Sequence, residues 1–149
     1  MIEAVFDTNI FLQAATSKTG PANACWKFAE ERKIRIFATE ATLAELEDVL
    51  SRSRLLRQFP QLTDEHFENI LTAFRTYCLL VAEPPAVFHL GRDKDDAKFV
   101  DLAAVMKASY IVTRDRDLLD LREDSQFSSQ FPELNIVTPV GFLEIVRAT

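Results

Sequence analysis

Residues 4–9, Ala-Val-Phe-Asp-Thr-Asn (AVFDTN), break an apolar run with a carboxylate and two small polar residues. Ala4–Phe6 reads as a short β-strand. Aspartate directly after a strand is a common turn residue. Taken locally, Asp7 is either the end of a strand or a carboxylate displayed at a strand tip. The same pattern recurs in YIVTRDRD, residues 110–117, where a Tyr110–Thr113 strand is followed by Asp115 and Asp117.

Between these stretches, strands and helices alternate. Asn9–Thr16 reads as a brief helix. After a polar loop, Pro21 opens a helix over about Ala22–Lys33, since its fixed φ suits a first helical position. Ile34–Ala38 is the second strand. Thr39 is an N-cap for a helix through Ser51, with Leu43, Leu46, Val49 and Leu50 as its apolar stripe. Thr63 caps a helix over Asp64–Leu79, and Leu80–Ala82 is the third strand. Asp95–Ala108 is a helix, Ile136–Val137 the last strand, and Thr138 and Pro139 start a terminal helix. This alternation predicts an α/β fold: one domain over residues 1–149, with a parallel sheet covered by helices on both faces. Ligands of such sheets bind beyond the carboxyl ends of the strands, the edge where the acids gather.

Bulk composition narrows the function. The chain has 149 residues, 48% hydrophobic and 27% charged, which fits a soluble globular protein. No apolar run approaches the roughly 20 residues that span a bilayer. Glu3 stands where a signal peptide would carry positive charge, so a cytoplasmic protein is expected. The three glycines, Gly20, Gly91 and Gly141, are too scattered for a Walker-type loop or a dinucleotide fingerprint. Cys25 and Cys78 match no metal spacing and are expected as buried thiols in helix-like surroundings. The net charge of −6 gives no support for broad nucleic-acid binding through bulk charge.

Other acids converge on the same edge. Phe99 and Val100 lie three and four residues after Asp96, so the three share a helix face that should pack on the sheet. Ordinary N-capping by Asp95 and Asp96 is the alternative. Asp101 is rotated about 140° from Asp96 and is expected in solvent. Glu45 and Glu47 border opposite edges of the stripe on their helix, and periodicity does not choose between them. Unit charges about 4 Å apart repel by about 4 kcal/mol at an effective dielectric of 20. A cluster of acids therefore calls for protonation or a cation. Oxygen ligands without histidine or thiolate favour Mg²⁺ or Mn²⁺.

Four motifs in this order, VFDTN, ATLAELEDVL, DKDDAKFVDLAA and IVTRDRDLL, resemble those of PIN-domain ribonucleases, especially the toxin components of prokaryotic toxin–antitoxin systems. The resemblance covers almost the whole chain. It implies a three-layer α/β/α fold with a central, mainly parallel sheet, and Mg²⁺- or Mn²⁺-dependent endonucleolytic cleavage of RNA by water, without a covalent intermediate. Carried over by motif, the acids are Asp7, Glu45, Asp96 and Asp115, with Asp117 a further metal candidate. The choice of Glu45 over Glu47 comes from the AEL match. Thr8, Asn9 and Thr113 match the small polar positions that support the acids. The resemblance also implies an antitoxin partner and allows a homodimer through the helix pair around residues 43–79, for which core packing is the alternative. Arg52, Arg54 and Arg57, in SRSRLLRQF, form a basic patch for RNA phosphates or an acidic partner, or simply a solvated helix end.

Other functional classes fit less well. A receiver-like signalling module places Mg²⁺-binding acids at strand ends, but it needs a lysine beyond the last strand. NIVTP offers none, and Leu80–Pro85 lacks an acceptor aspartate. A phosphatase with an aspartyl nucleophile expects a second aspartate at position 9, which is asparagine. A catalytically silent PIN fold is opposed by the intact acids.

Overall fold

The computed structural model describes residues 1–55, 62–88 and 94–149, without the side chains of 53–55 and 94–95. These residues form five strands: β1 (Ile2–Phe6), β2 (Ile34–Ala38), β3 (Cys78–Leu80), β4 (Tyr110–Val112) and β5 (Asn135–Val137). The helices are α1 (Thr8–Thr16), α2 (Pro21–Glu30), α3 (Glu40–Leu55), α4 (Asp64–Tyr77), α5 (Lys94–Met106), α6 (Arg116–Asp120), α7 (Ser125–Gln130) and α8 (Pro139–Ala148). The strands pair in the order β3-β2-β1-β4-β5, all parallel, with helices in a layer on each face.

Parallel strands covered on both faces must be apolar on both faces. In β1, Ala4 and Phe6 turn to one layer and Val5 to the other, each at most 1% exposed. Phe6 joins Phe11, Trp26, Phe74 and Phe142 in a network of tilted and edge-on rings. Val5 packs with Phe37, Phe99, Val100 and Ile111 on the opposite face. Burying a large apolar side chain is worth about 1.5–3 kcal/mol. That packing holds three-residue strands such as β3, β4 and β5 in a sheet that backbone pairing alone would not sustain.

Helix starts follow local chemistry. Thr63 and Thr138 accept N–H bonds from His66 and Gly141, and Pro21 and Pro139 occupy first-turn positions. The expected Thr39 cap is formed: its hydroxyl accepts the Thr42 N–H at 3.2 Å. The apolar side of the α3–α4 pair is spent in the core, where Leu43, Leu46, Leu50, Phe67 and Phe74 are buried.

Some expectations are corrected. The third strand is Cys78–Leu80, and α4 stops at Tyr77. Pairing Cys78 with Ile36 and Leu80 with Ala38 sets this register, which the apolar run across both elements concealed. Cys78 therefore lies in a strand. Both cysteines are buried, and burial pushes their thiols up to about 12. Residues 116–130, where no helix is expected, carry α6 and α7, which start where the Asp115 and Asp124 carboxylates accept first-turn N–H groups.

Asp101 is the clearest reversal. It is 6% exposed, and its Oδ1 accepts the backbone N–H groups of Val87 (2.9 Å) and Phe88 (2.8 Å). The segment after β3 is strapped down further by the Phe88 ring, 5.6 Å from Phe127 and 5.8 Å from Phe131. Helical rotation placed Asp101 away from Asp96 but could not show that a strap covers that side. Asp101→Ala leaves two N–H donors without their acceptor. It should cost about 1–3 kcal/mol and lower the melting temperature by several degrees, whereas Asp101→Asn, which retains Oδ1, should recover most of the loss. Thermal unfolding of both variants checks this.

Candidate metal centre

Strand order fixes where a site can form. From β1 the chain runs outward through β2 and β3, then returns to lay β4 on the other side of β1. The crevice beyond the carboxyl ends of β1 and β4 is thus the topological switch point, where open α/β sheets bind ligands. Asp7 leaves β1 there, and Thr113–Asp117 leave β4. The Asp7 N–H donates to the Val112 carbonyl at 3.2 Å, so the two exits remain bound one residue beyond β1.

Asp7 is 5% exposed. It caps α1, accepting the Ile10 N–H on Oδ1 at 3.0 Å, and its Oδ2 accepts the Thr113 hydroxyl. The turn role and the strand-tip role of this carboxylate therefore coincide. Burial pushes its pKa up, and the charge of Asp115 adds to the rise. The Thr113 hydroxyl and the N–H groups of Ile10 and Asn9 pull the other way without cancelling it.

Thr113 is fully buried and serves both acids. While donating to Asp7, its Oγ1 accepts the Asp115 N–H at 2.9 Å. Asp115 in turn caps α6, with Oδ1 accepting the Asp117 N–H at 2.8 Å and the Leu118 N–H at 3.4 Å. One hydroxyl thus links the carboxylate after β1 to the loop after β4.

Asp96, Asp115 and Asp117 each offer a carboxylate oxygen within 4.8 Å of the others. Asp96 comes from the start of α5, 9% exposed, on the helix side that also carries the buried Phe99 and Val100. This donor set fits a hard divalent cation: it is all carboxylate oxygen, drawn from two elements and near enough for one ion to draw together. Asp7 and Glu45 lie outside the three-acid group. Asp7 is tied to it through Thr113, whereas Glu45, on α3, is 42% exposed at its side chain and ion-paired with Lys98 of α5.

The remaining candidates divide. Thr8 is buried beside Asp7, and its hydroxyl has no hydrogen-bond partner among the described residues. Asn9 is exposed and serves Asp7 through its backbone N–H. Arg52 pairs with Asp48 one turn back along α3, at 3.2 Å. The Arg54 side chain and Arg57 lie outside the described residues. Sequence reasoning missed Lys98. Its signal was its place two residues after Asp96, in a motif otherwise read for its acids.

Comparison with known proteins follows the same lines. A family model described as PIN domain matches residues 3–117. MJ1680, an uncharacterized protein of Methanocaldococcus jannaschii, is 29% identical over 144 residues, spanning 96% of this chain and 90% of its own. PAE2754 from Pyrobaculum aerophilum superposes with a TM-score of 0.61 at 15% identity, over 99% of this chain and 98% of its own. VapBC2 from Rickettsia felis, solved bound to a DNA fragment from their promoter, gives 0.60 at 16% identity, over 92% and 98%. These two structural likenesses speak to the fold. With the family model running from β1 through the acids that follow β4, this chain belongs to the PIN domain family.

Proposed function

We propose that this chain is a Mg²⁺- or Mn²⁺-dependent endoribonuclease, folded as a single nuclease domain over residues 1–149 and acting as the toxin of a toxin–antitoxin pair. The observation that carries this reading is the convergence of Asp96, Asp115 and Asp117 at the switch point, with Asp7 joined to Asp115 through Thr113. PIN-domain membership supports nuclease chemistry. The likeness in fold to VapBC2 supports an antitoxin protein as partner.

In this reading Asp7, Asp96, Asp115 and Asp117 would hold the ion, and Glu45 would complete its shell or orient the attacking water. A bound divalent cation supplies a Lewis acid that activates water and neutralises charge on a phosphodiester. The chain's own groups do the rest. Thr113 fixes the Asp7 carboxylate and the Asp115 backbone. The first-turn N–H groups of α1 and α6 orient the acids that cap them. Thr8 and Asn9 complete the α1 entry beside Asp7.

The test is cleavage of single-stranded and structured RNA by the purified chain with Mg²⁺, Mn²⁺ or EDTA, beside DNA of the same sequence. Metal-dependent internal cuts in RNA, lost in EDTA and weak or absent on DNA, are expected. EDTA-insensitive cleavage, or none under any condition, overturns the reading. Among the described residues no helix is long and apolar enough to cross a membrane.

A further inference from the structure

Glu45 and Lys98 form an ion pair with an unusual location. Glu45 belongs to α3, whose Leu43, Leu46 and Leu50 pack in the layer of Phe11 and Trp26. Lys98 belongs to α5, whose Phe99 and Val100 pack in the opposite layer with Val5. The two helices sit on different faces of the sheet, so this pair joins the layers across its carboxyl edge. The Lys98 ammonium is also 5.2 Å from the centre of the Phe99 ring, a second favourable contact for the same charge.

We propose that Lys98 is a positioning residue that withholds Glu45 from the divalent ion: the ion and the Lys98 ammonium compete for one carboxylate. The inference rests on the metal-dependent reading above. Glu45 Oε2 accepts the ammonium while three other acids each offer an oxygen within 4.8 Å of the others. While Oε2 accepts the ammonium it is engaged, so an ion that takes Glu45 through that oxygen displaces Lys98. A half-exposed ion pair is a weak competitor, as a latch released by metal must be. By reciprocity, metal loading loosens the tie between α3 and α5.

The experiment is a calorimetric titration of Mn²⁺ into the full chain, its Lys98→Met and Glu45→Gln variants, and the double variant. Melting of each metal-free protein verifies that it is folded, and Lys98→Gln replaces Lys98→Met if the latter does not fold. Lys98→Met should tighten Mn²⁺ binding about fivefold, the scale of an exposed ion pair. The double variant should bind like Glu45→Gln alone. Unchanged or weaker binding in Lys98→Met overturns the proposal. So does a tightening that persists without the Glu45 carboxylate, because removal of a nearby positive charge then explains it. Wild-type protein that melts cooperatively yet binds no Mn²⁺ removes the metal-dependent reading itself and this inference with it.

Discussion

Asp7→Asn is expected to reduce metal-dependent RNA cleavage by more than about 100-fold, beyond what loss of an outer-shell partner ordinarily costs, while raising the melting temperature of the metal-free protein. The two effects share a cause. Burial is the largest influence on the Asp7 carboxyl and pushes its pKa up. A carboxyl whose folded pKa lies above its unfolded value contributes stability that is fully present below the unfolded value. That stability is lost as pH rises through the folded value. At neutral pH the ionised group is therefore a cost to the metal-free fold. Asparagine removes the charge and keeps an oxygen to cap α1 at Ile10, a position where it ranks with aspartate, while its NH2 replaces Oδ2 beside Thr113, whose hydroxyl must then accept where it donated; the relief of the buried charge is expected to outweigh that exchange. For a chain of this size each kcal/mol recovered is about 2–4 °C. The gain should shrink as pH falls toward the ordinary carboxylate range. Mn²⁺ should stabilise wild type by about 2.7 kcal/mol at a hundred times its Kd, and this shift should shrink in the variant at the same Mn²⁺ concentration. Full cleavage by Asp7→Asn, or a lower metal-free melting temperature, would count against the assignment.

The sequence made the edge legible because strand-then-acid patterns are local. Ala4–Phe6 and Tyr110–Thr113 announce their strands, and parallel pairing brings their ends together without further instruction. Asp96 was legible from helix spacing, since Phe99 and Val100 had to face the sheet. What could not be read depends on contacts across the chain. Asp101 looks solvated by rotation alone until the segment carrying Val87 and Phe88 is laid over it. The β3 register depends on pairing with β2, because an apolar run serves a helix end and a strand start equally well. Glu45 and Glu47 were separable only by motif. The folded chain adds a distinction that periodicity lacked, for Glu45 meets Lys98 from the opposite layer. Helix α6 was hidden in the acids themselves: Asp115, read for its charge, also starts a helix by accepting two N–H groups.

Thr113→Val is expected to damage the site more than its small change in shape implies. Valine fills nearly the same volume and suits a buried strand end, so any loss belongs to the hydroxyl. That hydroxyl donates to Asp7 and accepts from the Asp115 backbone, with no exposure to solvent. Removing it strands a carboxylate oxygen and an N–H, at about 1–3 kcal/mol for each buried group left unpaired. A total of about 2–6 kcal/mol lowers the melting temperature by roughly 4–24 °C. Cleavage should fall about 10–100-fold, the range for losing a partner that orients a metal ligand. Since Thr113 holds the Asp7 pKa down against burial, its loss moves that pKa further up. If cleavage needs Asp7 ionised, the acidic limb of the pH–rate profile shifts to higher pH in the variant. Thr113→Ser retains donor and acceptor and should return both the rate and the profile toward wild type. A general loss of stability would lower the rate at every pH alike and leave the limb in place. An unmoved limb in Thr113→Val, or failure of Thr113→Ser to restore it, would mean that the hydroxyl supports the fold but does not tune Asp7.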